Sequence, residues 1–556
     1  MAPHRVRPTA APTAAANSAA KADAAHATLV AGLQRVLAAA HPGAPVQLIE
    51  THISSVLLAG DTAYKLKKPV NLGFLDFTTL DARRHFCELE LALNRRTAPQ
   101  LYLEVAPITG TPALPALSTR GAGDAPIDYA VKMRRFESED TIDHLLRRGA
   151  LDAPLVDALA ERVAAFHAAI DVAPPASAYG SSASIAGDAL DNFSHIARLE
   201  PPSKLHAQIQ RLRQWTETES GALRERFAQR KADGFVRECH GDLHLGNVAR
   251  IEGAPVLFDC IEFNDAFRWI DVMSEIAFTV MDFVDHGGAA LGWRFLNRVL
   301  ELNGDYAGID VLRFYLVYRA MVRAKVALIR AAQVGVDGND ANADPSARED
   351  FARHLADADA FAAPRPRVLI LTGGVSGSGK TTLAQAVLEA QGAIRLRSDV
   401  ERKRLHGLDP LARSDSTFDA GLYAPRATRA TYDRLAALAR ALLETGFPVI
   451  VDATFLHAAD RLAFVRLAHE NGAQCTILWC DAPIQVLRER VAARLAAGRD
   501  ASEATLEVLA RQLEALEPPA PDVDTIICDS ADAASVAAAL GEIAHRCRIC
   551  GAVKAT

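Results

Sequence analysis

A glycine-rich stretch in the second half of the sequence has the residue types and spacing of a phosphate-binding loop. Residues 374–381 read Gly-Val-Ser-Gly-Ser-Gly-Lys-Thr and fit G-x-x-x-x-G-K-[ST] at each fixed position. Glycines let consecutive backbone N–H groups point at one anion, and the N-terminus of a following helix adds its positive end. We therefore expect a nucleoside triphosphate to bind here, through Gly374, Ser376, Gly377, Ser378, Gly379, Lys380, Thr381 and Thr382.

Two aspartates are expected to complete this site. In such a loop Lys380 reaches the β- and γ-phosphates, and the Thr381 hydroxyl binds Mg²⁺. Asp452 ends one apolar run and Asp399 follows another. Because the carboxyl ends of parallel strands meet at one edge of a sheet, both carboxylates should lie near the loop. We predict that Asp452 holds Mg²⁺ and that Asp399 orients or deprotonates an acceptor hydroxyl; a surface loop aspartate is the alternative for Asp399.

Basic residues flank the predicted site on two sides. Arg490 and Arg494 stand four residues apart on a predicted helix, so they share a face that could close over the triphosphate. A solvated basic helix face is the alternative. A second basic cluster surrounds Asp399 and suits either a phosphorylated or nucleic-acid acceptor or mixed surface charge. Its members are Arg395, Arg397, Arg402, Lys403 and Arg404.

Another set of chemistry-bearing residues lies in the first half of the sequence. Asp242 and Asn247 stand five residues apart in a polar loop, and Asp259 ends the apolar run that follows. One carboxylate of such a set can accept a hydroxyl proton, while an amide and a second carboxylate hold Mg²⁺ at the transferring phosphate. We predict Asp242 as the catalytic base, and Asn247 and Asp259 as the Mg²⁺ ligands.

An upstream lysine is expected to hold the phosphates of ATP. A predicted strand carries Lys65 and Lys67, and the predicted helix after it carries Glu88 and Glu90. Kinases pair such a lysine with a helical glutamate, and the ion pair fixes the position of the lysine. Lys65 with Glu90 is the preferred pair, while Lys67 and Glu88 stay open as alternatives. Solvated Lys/Glu faces of the same appearance are also common.

Different strand patterns position the two sets. Around the first, short strand-like runs and the Gly60-Asp61 turn predict a small antiparallel sheet. Around the glycine loop, apolar runs alternate with helical patterns, which predicts a doubly wound parallel sheet. The strands predicted for that sheet are 368–371, 393–397, 447–452, 474–480 and 524–528. The fold class is thus α+β followed by α/β.

Composition and breaks in these patterns divide the 556 residues into segments. The first residues are rich in alanine and proline and lack the apolar core of a secretory signal, so we expect a disordered extension. Pro364 and Pro366 favour a domain boundary. The predicted organisation is an extension at 1–27, a first domain at 28–340, a linker at 341–366, a second domain at 367–540 and a tail at 541–556.

The overall composition narrows the class of protein. Half of the residues are hydrophobic and 23% are charged, which is typical of a globular chain. A net charge of −7 argues against a general nucleic-acid binder, and no apolar run is long enough to cross a membrane. Eight scattered cysteines suit free thiols in a reducing cytosol, so we expect a cytoplasmic protein; Cys547 and Cys550 lack the second pair that a zinc site needs. Nothing in the sequence specifies the oligomeric state.

The first half resembles the aminoglycoside phosphotransferase and choline kinase group, a branch of the protein-kinase-like fold. His-Gly-Asp-Leu-His at 240–244, together with Asn247, is similar to the catalytic loop of that group. Leu-Phe-Asp at 257–259 is similar to its metal-binding element. The resemblance spans roughly residues 45–335 and implies a bilobal kinase-like domain that uses ATP and Mg²⁺. The chain departs from the kinase pattern by lacking a G-x-G-x-x-G motif over the phosphates.

The second half resembles small P-loop kinases over roughly residues 367–535. These include gluconate kinase, chloramphenicol phosphotransferase, the zeta-toxin type and the kinase half of polynucleotide kinase. The likeness rests on the loop 374–381 and on Ser398-Asp399, with Arg490 and Arg494 matching lid arginines less closely. The complete tandem is similar to bacterial proteins described as bifunctional aminoglycoside phosphotransferase/ATP-binding proteins, often labelled AAA-family ATPases. This implies a protein-kinase-like domain followed by a P-loop kinase domain.

The predicted function is phosphoryl transfer from ATP–Mg²⁺ to hydroxyl groups of small polar molecules at two separate sites. Sugar-like or amino-sugar-like acceptors follow from the resemblance alone. One alternative is a nucleotide-gated regulator whose first domain binds a ligand without turnover. Another is a nucleic-acid 5′-hydroxyl kinase in the second half, although the basic cluster has no interleaved aromatic residues.

Overall fold

The computed structural model describes residues 14–73, 75–117, 125–333, 345–410, 412, 424–497, 501–519 and 524–552. It divides the chain into two units, Met1–Arg148 with Glu238–Ile270 and Gly149–Arg237 with Asp271–Thr556. This division differs from the predicted domains, because the helices that follow residue 149 group with the P-loop sheet. Within the second unit, we call 149–237 with 271–362 the helical subdomain and 367–552 the P-loop subdomain.

The first unit is organised around a six-stranded antiparallel sheet of order β1-β2-β3-β6-β4-β5. Its strands are β1 (Gln47–Glu50), β2 (Ser54–Ala59), β3 (Thr62–Lys67), β4 (Tyr102–Thr111), β5 (Leu114–Leu117) and β6 (Asp128–Arg134). The predicted turn at Gly60-Asp61 joins β2 to β3, and Gly60 takes the positive φ that such a turn requires. The smaller elements are α2 (Leu80–Asn94), α3 (Ile142–Arg147), α8 (Asp265–Arg268), the hairpin β8 (Val248–Ile251) with β9 (Ala254–Leu257), and 3₁₀ turns at Ser138–Asp140 and Leu245–Asn247.

Helix α1 (Ala14–Ala40) covers part of this sheet. Leu29, Leu33 and Leu37 recur at helical spacing and pack with Leu57 and Leu66 of the sheet. The helix begins inside the segment 1–27 that the sequence predicts to be disordered. Alanine has the highest helix propensity, so the alanine-rich residues 14–27 extend the buried helix towards its N-terminus. Residues 1–13 lie outside the described part of the chain.

The helical subdomain is built from amphipathic helices. They are α4 (Ala153–Ala169), α5 (Ser182–Arg198), α6 (His206–Ala222), α7 (Arg224–Ala232), α9 (Val272–Asp285), α10 (Ala289–Asn303), α11 (Ile309–Gln333) and α12 (Pro345–Ala362), with 3₁₀ turns at Ser203–Leu205 and Tyr306–Gly308. The short strands β7 (Val236–Glu238) and β10 (Trp269–Asp271) lie where the chain passes between the units. Helix α12 occupies most of the predicted linker 341–366, because Phe351, Leu355 and Phe361 form a buried face.

The P-loop subdomain contains a five-stranded parallel sheet of order β12-β13-β11-β14-β15. The strands are β11 (Val368–Gly373), β12 (Ile394–Arg397), β13 (Val449–Asp452), β14 (Gln474–Asp481) and β15 (Thr525–Asp529). The helices are α13 (Lys380–Gln391), α14 (Ser398–Leu405), α15 (Pro425–Glu444), α16 (Ala458–Glu470), α17 (Ile484–Ala497), α18 (Leu506–Ala515) and α19 (Ala533–Ala552). The order runs outward in both directions from β11, which confirms the predicted doubly wound class.

The end of the chain is more regular than the predicted tail 541–556. Helix α19 continues to Ala552 and buries Cys547, while the Cys550 side chain and residues 553–556 lie outside the described part. Among the described helices, none is both long enough and apolar enough to cross a membrane.

Candidate active sites

In the first unit, the hairpin β8–β9 brings Asn247 and Asp259 to the same end. Val248 pairs with Leu257, and the Phe258 N–H donates to the Asn247 carbonyl at 3.0 Å. The Asn247 amide nitrogen donates to the Asp242 carbonyl at 2.9 Å and to Asp242 Oδ2 at 3.3 Å. The predicted base and both predicted metal ligands therefore lie around one hairpin end.

Two histidines hold the loop that carries Asp242. His240 is fully buried and its Nε2 hydrogen-bonds to the Phe258 carbonyl at 2.8 Å. His244 Nδ1 accepts from the Gly246 N–H at 3.1 Å, and its Nε2 lies 3.6 Å from Asp242 Oδ2. These contacts attach the loop to the end of β9 and close its turn.

Asp259 has a backbone conformation that is rare outside glycine. Its φ is +63°, and its N–H donates to the Tyr102 hydroxyl at 3.1 Å. A non-glycine residue in this region costs about 1–3 kcal/mol and persists where surrounding contacts determine it, often at functional sites. In this conformation the Asp259 carboxylate contacts Lys65, whose Nζ lies 2.5 Å from Asp259 Oδ1.

Lys65 and Lys67 both belong to a buried ion-pair cluster. They project from the same face of β3 and contact different oxygens of Glu90, at 2.9 Å for Lys65 and 2.8 Å for Lys67. Burial lowers the pKa of Lys65, but Asp259 and Glu90 outweigh it and leave that pKa well above the usual value. Glu88, the other predicted glutamate, is instead half-exposed and pairs with Arg84 at 3.3 Å.

Glu262 is a member of this cluster that the sequence reasoning missed. It is 4% exposed and hydrogen-bonds to Lys67 Nζ. Burial raises its pKa, with Lys67 acting in the opposite direction. The available signal was an acidic residue between Ile261 and Phe263, where burial demands a partner.

Replacing Lys67 with methionine should destabilise the first unit strongly. Lys67 is 1% exposed between two buried carboxylates, and removing one partner of a buried ion pair costs about 3–5 kcal/mol. Lys132→Met is the matched control, since Lys132 pairs with Glu104 at the surface, where a pair contributes about 0–1 kcal/mol. Urea unfolding measures both. Equal loss in the two variants would contradict the assigned cluster.

In the P-loop subdomain, the glycine loop connects β11 to α13 as the sequence predicts. Gly374 has φ +122°, and a Cβ there would lie 2.2 Å from the Cys480 carbonyl oxygen. Lys380 begins α13, and its Nζ donates to the Val375 carbonyl at 2.7 Å, so the side chain folds over the loop. Burial lowers the pKa of Lys380, while Asp452 acts to raise it.

A cavity of about 420 Å³ opens beside this loop. Its lining brings together Lys380, Thr381, Asp399, Asp452 and Arg494. Asp399 lies in the first turn of α14, directly after β12, and Asp452 ends β13. The predicted acceptor-side carboxylate and the predicted metal ligand thus share one cavity with the phosphate lysine. Thr382 is not part of the described lining.

Two buried oxygens at this site have no hydrogen-bond partner within the described residues. One is Asp452 Oδ2, which lies 4.0 Å from Arg397 Nε and whose companion Oδ1 accepts from Thr372 Oγ1 at 3.2 Å. The other is Ser378 Oγ, inside the glycine loop. Buried polar atoms are normally satisfied, so the carboxylate oxygen of Asp452 suits a bound cation and the Ser378 hydroxyl suits a phosphate oxygen.

The two predicted lid arginines have different surroundings. Arg490 donates to the Gly377 carbonyl at 3.3 Å and to Ser530 Oγ at 2.7 Å, so it braces the loop from outside the cavity. Arg494, one turn later on α17, lines the cavity, and its Nε and one terminal nitrogen are buried without a hydrogen-bond partner among described atoms. Of the two predicted lid arginines, Arg494 therefore belongs to the described cavity lining and Arg490 does not.

Gln512 is a cavity residue that the sequence reasoning missed. Its Oε1 accepts from the Ser376 N–H at 2.7 Å, and the side chain is 9% exposed. Gln512 therefore accepts a hydrogen bond from a loop N–H group that could otherwise donate to a phosphate oxygen. A glutamine on an amphipathic helix gives no sequence signal for this contact.

Family models match both halves of the chain. The phosphotransferase enzyme family matches residues 123–315, and the AAA domain matches residues 369–519. The uncharacterized protein Rv2004c of Mycobacterium tuberculosis H37Rv is 32% identical over 470 residues, which cover 84% of this chain and 90% of that protein. The chain belongs to this family. We call it the tandem phosphotransferase–AAA family. The two matched segments confirm the predicted order, a phosphotransferase module followed by a P-loop module.

This tandem phosphotransferase–AAA protein is also similar to a second mycobacterial protein and, over part of its length, to solved structures. The uncharacterized protein Mb2027c of Mycobacterium bovis has the same identity and coverage as Rv2004c. A gluconokinase from Sinorhizobium meliloti is 26% identical, with a TM-score of 0.24, over 33% of this chain and 95% of that chain. A choline/ethanolamine kinase family protein from Mesorhizobium loti is 14% identical, with a TM-score of 0.35, over 59% and 99%. The family matches place a phosphotransferase domain and an AAA domain in the chain.

Proposed function

We propose that this protein transfers the γ-phosphoryl group of ATP to hydroxyl groups of small polar molecules at two sites. The observation that carries the proposal is the shared cavity of Lys380, Asp399 and Asp452. Asp452 can serve a metal ion while Asp399, which follows a different strand, accepts the proton of an attacking hydroxyl group. Acceptors with sugar-like or amino-sugar-like hydroxyl groups are the expected class.

At the first site, Asp242 is the proposed general base. The acceptor hydroxyl attacks the γ-phosphorus, its proton passes to the Asp242 carboxylate, and the bond to the ADP oxygen breaks. Lys65, held by Glu90 at 2.9 Å, neutralises phosphate charge. The Asn247 amide nitrogen keeps Asp242 in place, which positions the base before the acceptor arrives.

The donor sets of both sites fit Mg²⁺, which prefers hard oxygen ligands. Asn247 commits its amide nitrogen to Asp242, so its oxygen is the atom offered to a metal, together with the Asp259 carboxylate. In the P-loop subdomain, the Thr381 hydroxyl and the unsatisfied Asp452 Oδ2 supply equivalent oxygens. When bound, Mg²⁺ would neutralise charge on the transferring phosphate.

At the second site, the residues divide between donor and acceptor. Lys380 and the loop N–H groups bind the β- and γ-phosphates, and Arg494, which lines the same cavity, adds positive charge. Asp399 accepts the proton of the acceptor hydroxyl as that oxygen bonds to the γ-phosphorus and ADP leaves. The Ser376 N–H would exchange its Gln512 partner for a phosphate oxygen.

A screen of small hydroxyl compounds tests the proposed function. The full-length protein is mixed with ATP, Mg²⁺ and single compounds, ADP release is followed, and products are identified by mass spectrometry. We expect release that depends on particular acceptors and yields their phosphate esters. ADP release that no acceptor accelerates would contradict the proposal and favour a nucleotide-gated regulator.

A further inference from the structure

The basic cluster around Asp399 separates into two groups in the structure. Lys403 pairs with Glu503 at 3.1 Å, and Arg404 pairs with Glu401. Both side chains are therefore paired with carboxylates, and neither belongs to the described cavity lining. Arg397 and Arg402, in contrast, line the cavity, with Arg402 only 7% exposed. The described lining carries six Lys and Arg side chains against three aspartates.

Arg397 is held by an acid from another part of the chain. Glu301 lies on α10 of the helical subdomain and is 2% exposed. Its Oε1 accepts from Arg395 Nη2 at 2.6 Å, and its Oε2 lies 3.5 Å from Arg397 Nη1. Burial raises the pKa of Glu301, but the two arginines outweigh it and leave that pKa below the usual value. Glu301 is thus an anion that both guanidinium groups share.

Neighbouring contacts fix α10 against β12, so Glu301 has little freedom. Strand β12 is an edge of the parallel sheet, and its free edge is covered by Asn297. The Asn297 amide nitrogen donates to the Ala393 carbonyl at 2.9 Å, and its oxygen accepts from the Arg395 N–H at 2.7 Å. Asn297 thus pairs with one carbonyl and one N–H group of the edge segment, the hydrogen bonds that a neighbouring strand would otherwise make.

We propose that Glu301 is a positioning residue that fixes Arg397 as the anion-recognition group of the P-loop acceptor site. The inference rests on the proposed function of that site. Arg397 and Asp399 both line the cavity, two residues apart, so an acceptor presenting its hydroxyl to Asp399 would bring a second group to Arg397. A guanidinium held in place binds carboxylate or phosphate through charge-assisted hydrogen bonds. The acceptor class is therefore a hydroxyl compound that also carries an anionic group.

Matched acceptors and variants test this inference. The full-length protein carries Asp242→Asn, so that only the P-loop site turns over. Acceptors share a scaffold and differ in charge: glucose, glucuronate and glucose 6-phosphate, and glycerol, glycerate and glycerol 3-phosphate. Glu301→Gln and Arg397→Lys are compared with Glu389→Gln, because Glu389 is also paired with an arginine of the α10 region, Arg294 at 2.9 Å, rather than with Arg397. ADP release and calorimetric binding in the presence of ADP–Mg²⁺ are both measured.

The expected result is a selective effect on acceptor binding. Anionic members should bind more tightly than their neutral counterparts, and Glu301→Gln should raise their KM or Kd by roughly 10- to 100-fold, the range for one charge-assisted hydrogen bond. The KM for ATP and kcat should change little, Arg397→Lys should reproduce the loss, and Glu389→Gln should resemble the parent. The carboxylate and phosphate arms show which anion is recognised.

Other outcomes would overturn the inference. Equal binding of neutral and anionic members, or an Arg397→Lys variant that binds like the parent, contradicts anion recognition. If Glu301→Gln does not fold, Arg397→Lys alone decides the acceptor class. If no compound is turned over but anions still bind in a way that depends on Arg397, the proposed kinase activity is refuted. The anion site at Arg397 is then supported without it.

Discussion

Replacing Lys380 with methionine should remove phosphoryl transfer at the P-loop site while leaving the first site active. Methionine is similar in length, but it has no charge to place on the β- and γ-phosphates. Loss of one preorganised donor to developing charge typically lowers kcat by roughly 10²–10³-fold, or about 2.7–4 kcal/mol of transition-state stabilisation. The partly buried Lys380 side chain already folds over the loop, with its Nζ 2.7 Å from the Val375 carbonyl oxygen, so the group is preorganised.

The measurement is acceptor-dependent ADP release with acceptors specific to each site. Lys204→Met is the control, because Lys204 is exposed at the helical subdomain surface. It should behave as the parent protein. A Lys380→Met protein that retains full turnover of every acceptor would show that the glycine loop has no part in catalysis.

Replacing Asp242 with asparagine should remove phosphoryl transfer at the first site while leaving the P-loop site active. Asparagine keeps the shape of the side chain but cannot accept the hydroxyl proton, and general-base catalysis contributes roughly 10²–10⁴-fold. The His240 and Asn247 contacts that hold the loop involve the backbone and should survive the change. We therefore expect a lower kcat with nearly unchanged KM for ATP.

Asp265→Asn is the control for this second variant. Asp265 lies in the same unit, at the start of α8, and pairs with Arg268 at a half-exposed position. Its replacement should leave kcat close to that of the parent. If Asp242→Asn alters only stability, measured by thermal unfolding, Asp242 is a structural residue of the loop.

Much of each site could be predicted because its residues lie close together in sequence. The loop 374–381 carries its phosphate chemistry in eight consecutive residues, and Asp242 and Asn247 lie within one turn of the chain. The apolar run that ends at Asp452 identifies the end of a parallel strand, where such carboxylates gather, and the apolar run before Asp259 identifies a strand of the hairpin β8–β9. Strand alternation also implies that Lys65 and Lys67 share a face, which leaves the choice between them open.

The rest depends on packing between distant segments. Glu301 and Arg395 are 94 residues apart, and no local pattern pairs one acid on an amphipathic helix with one cation on a strand. The linker is predicted from a charged, alanine-rich stretch that ends at prolines, and the extension from alanine and proline; in the structure α12 runs through most of 341–366 with Phe351 and Leu355 buried, and α1 begins at Ala14. The grouping of the helical subdomain with the P-loop sheet also depends on packing between distant segments, which local sequence patterns do not indicate.

The most direct test of two phosphotransferase sites follows label from γ-labelled ATP into a pool of small hydroxyl metabolites. The parent protein, Lys380→Met, Asp242→Asn and the double variant are compared under identical conditions. We predict two sets of labelled phosphate esters in the parent, one set missing from each single variant and both missing from the double variant. Identical products from all four proteins, or no labelled ester from the parent, would contradict the account.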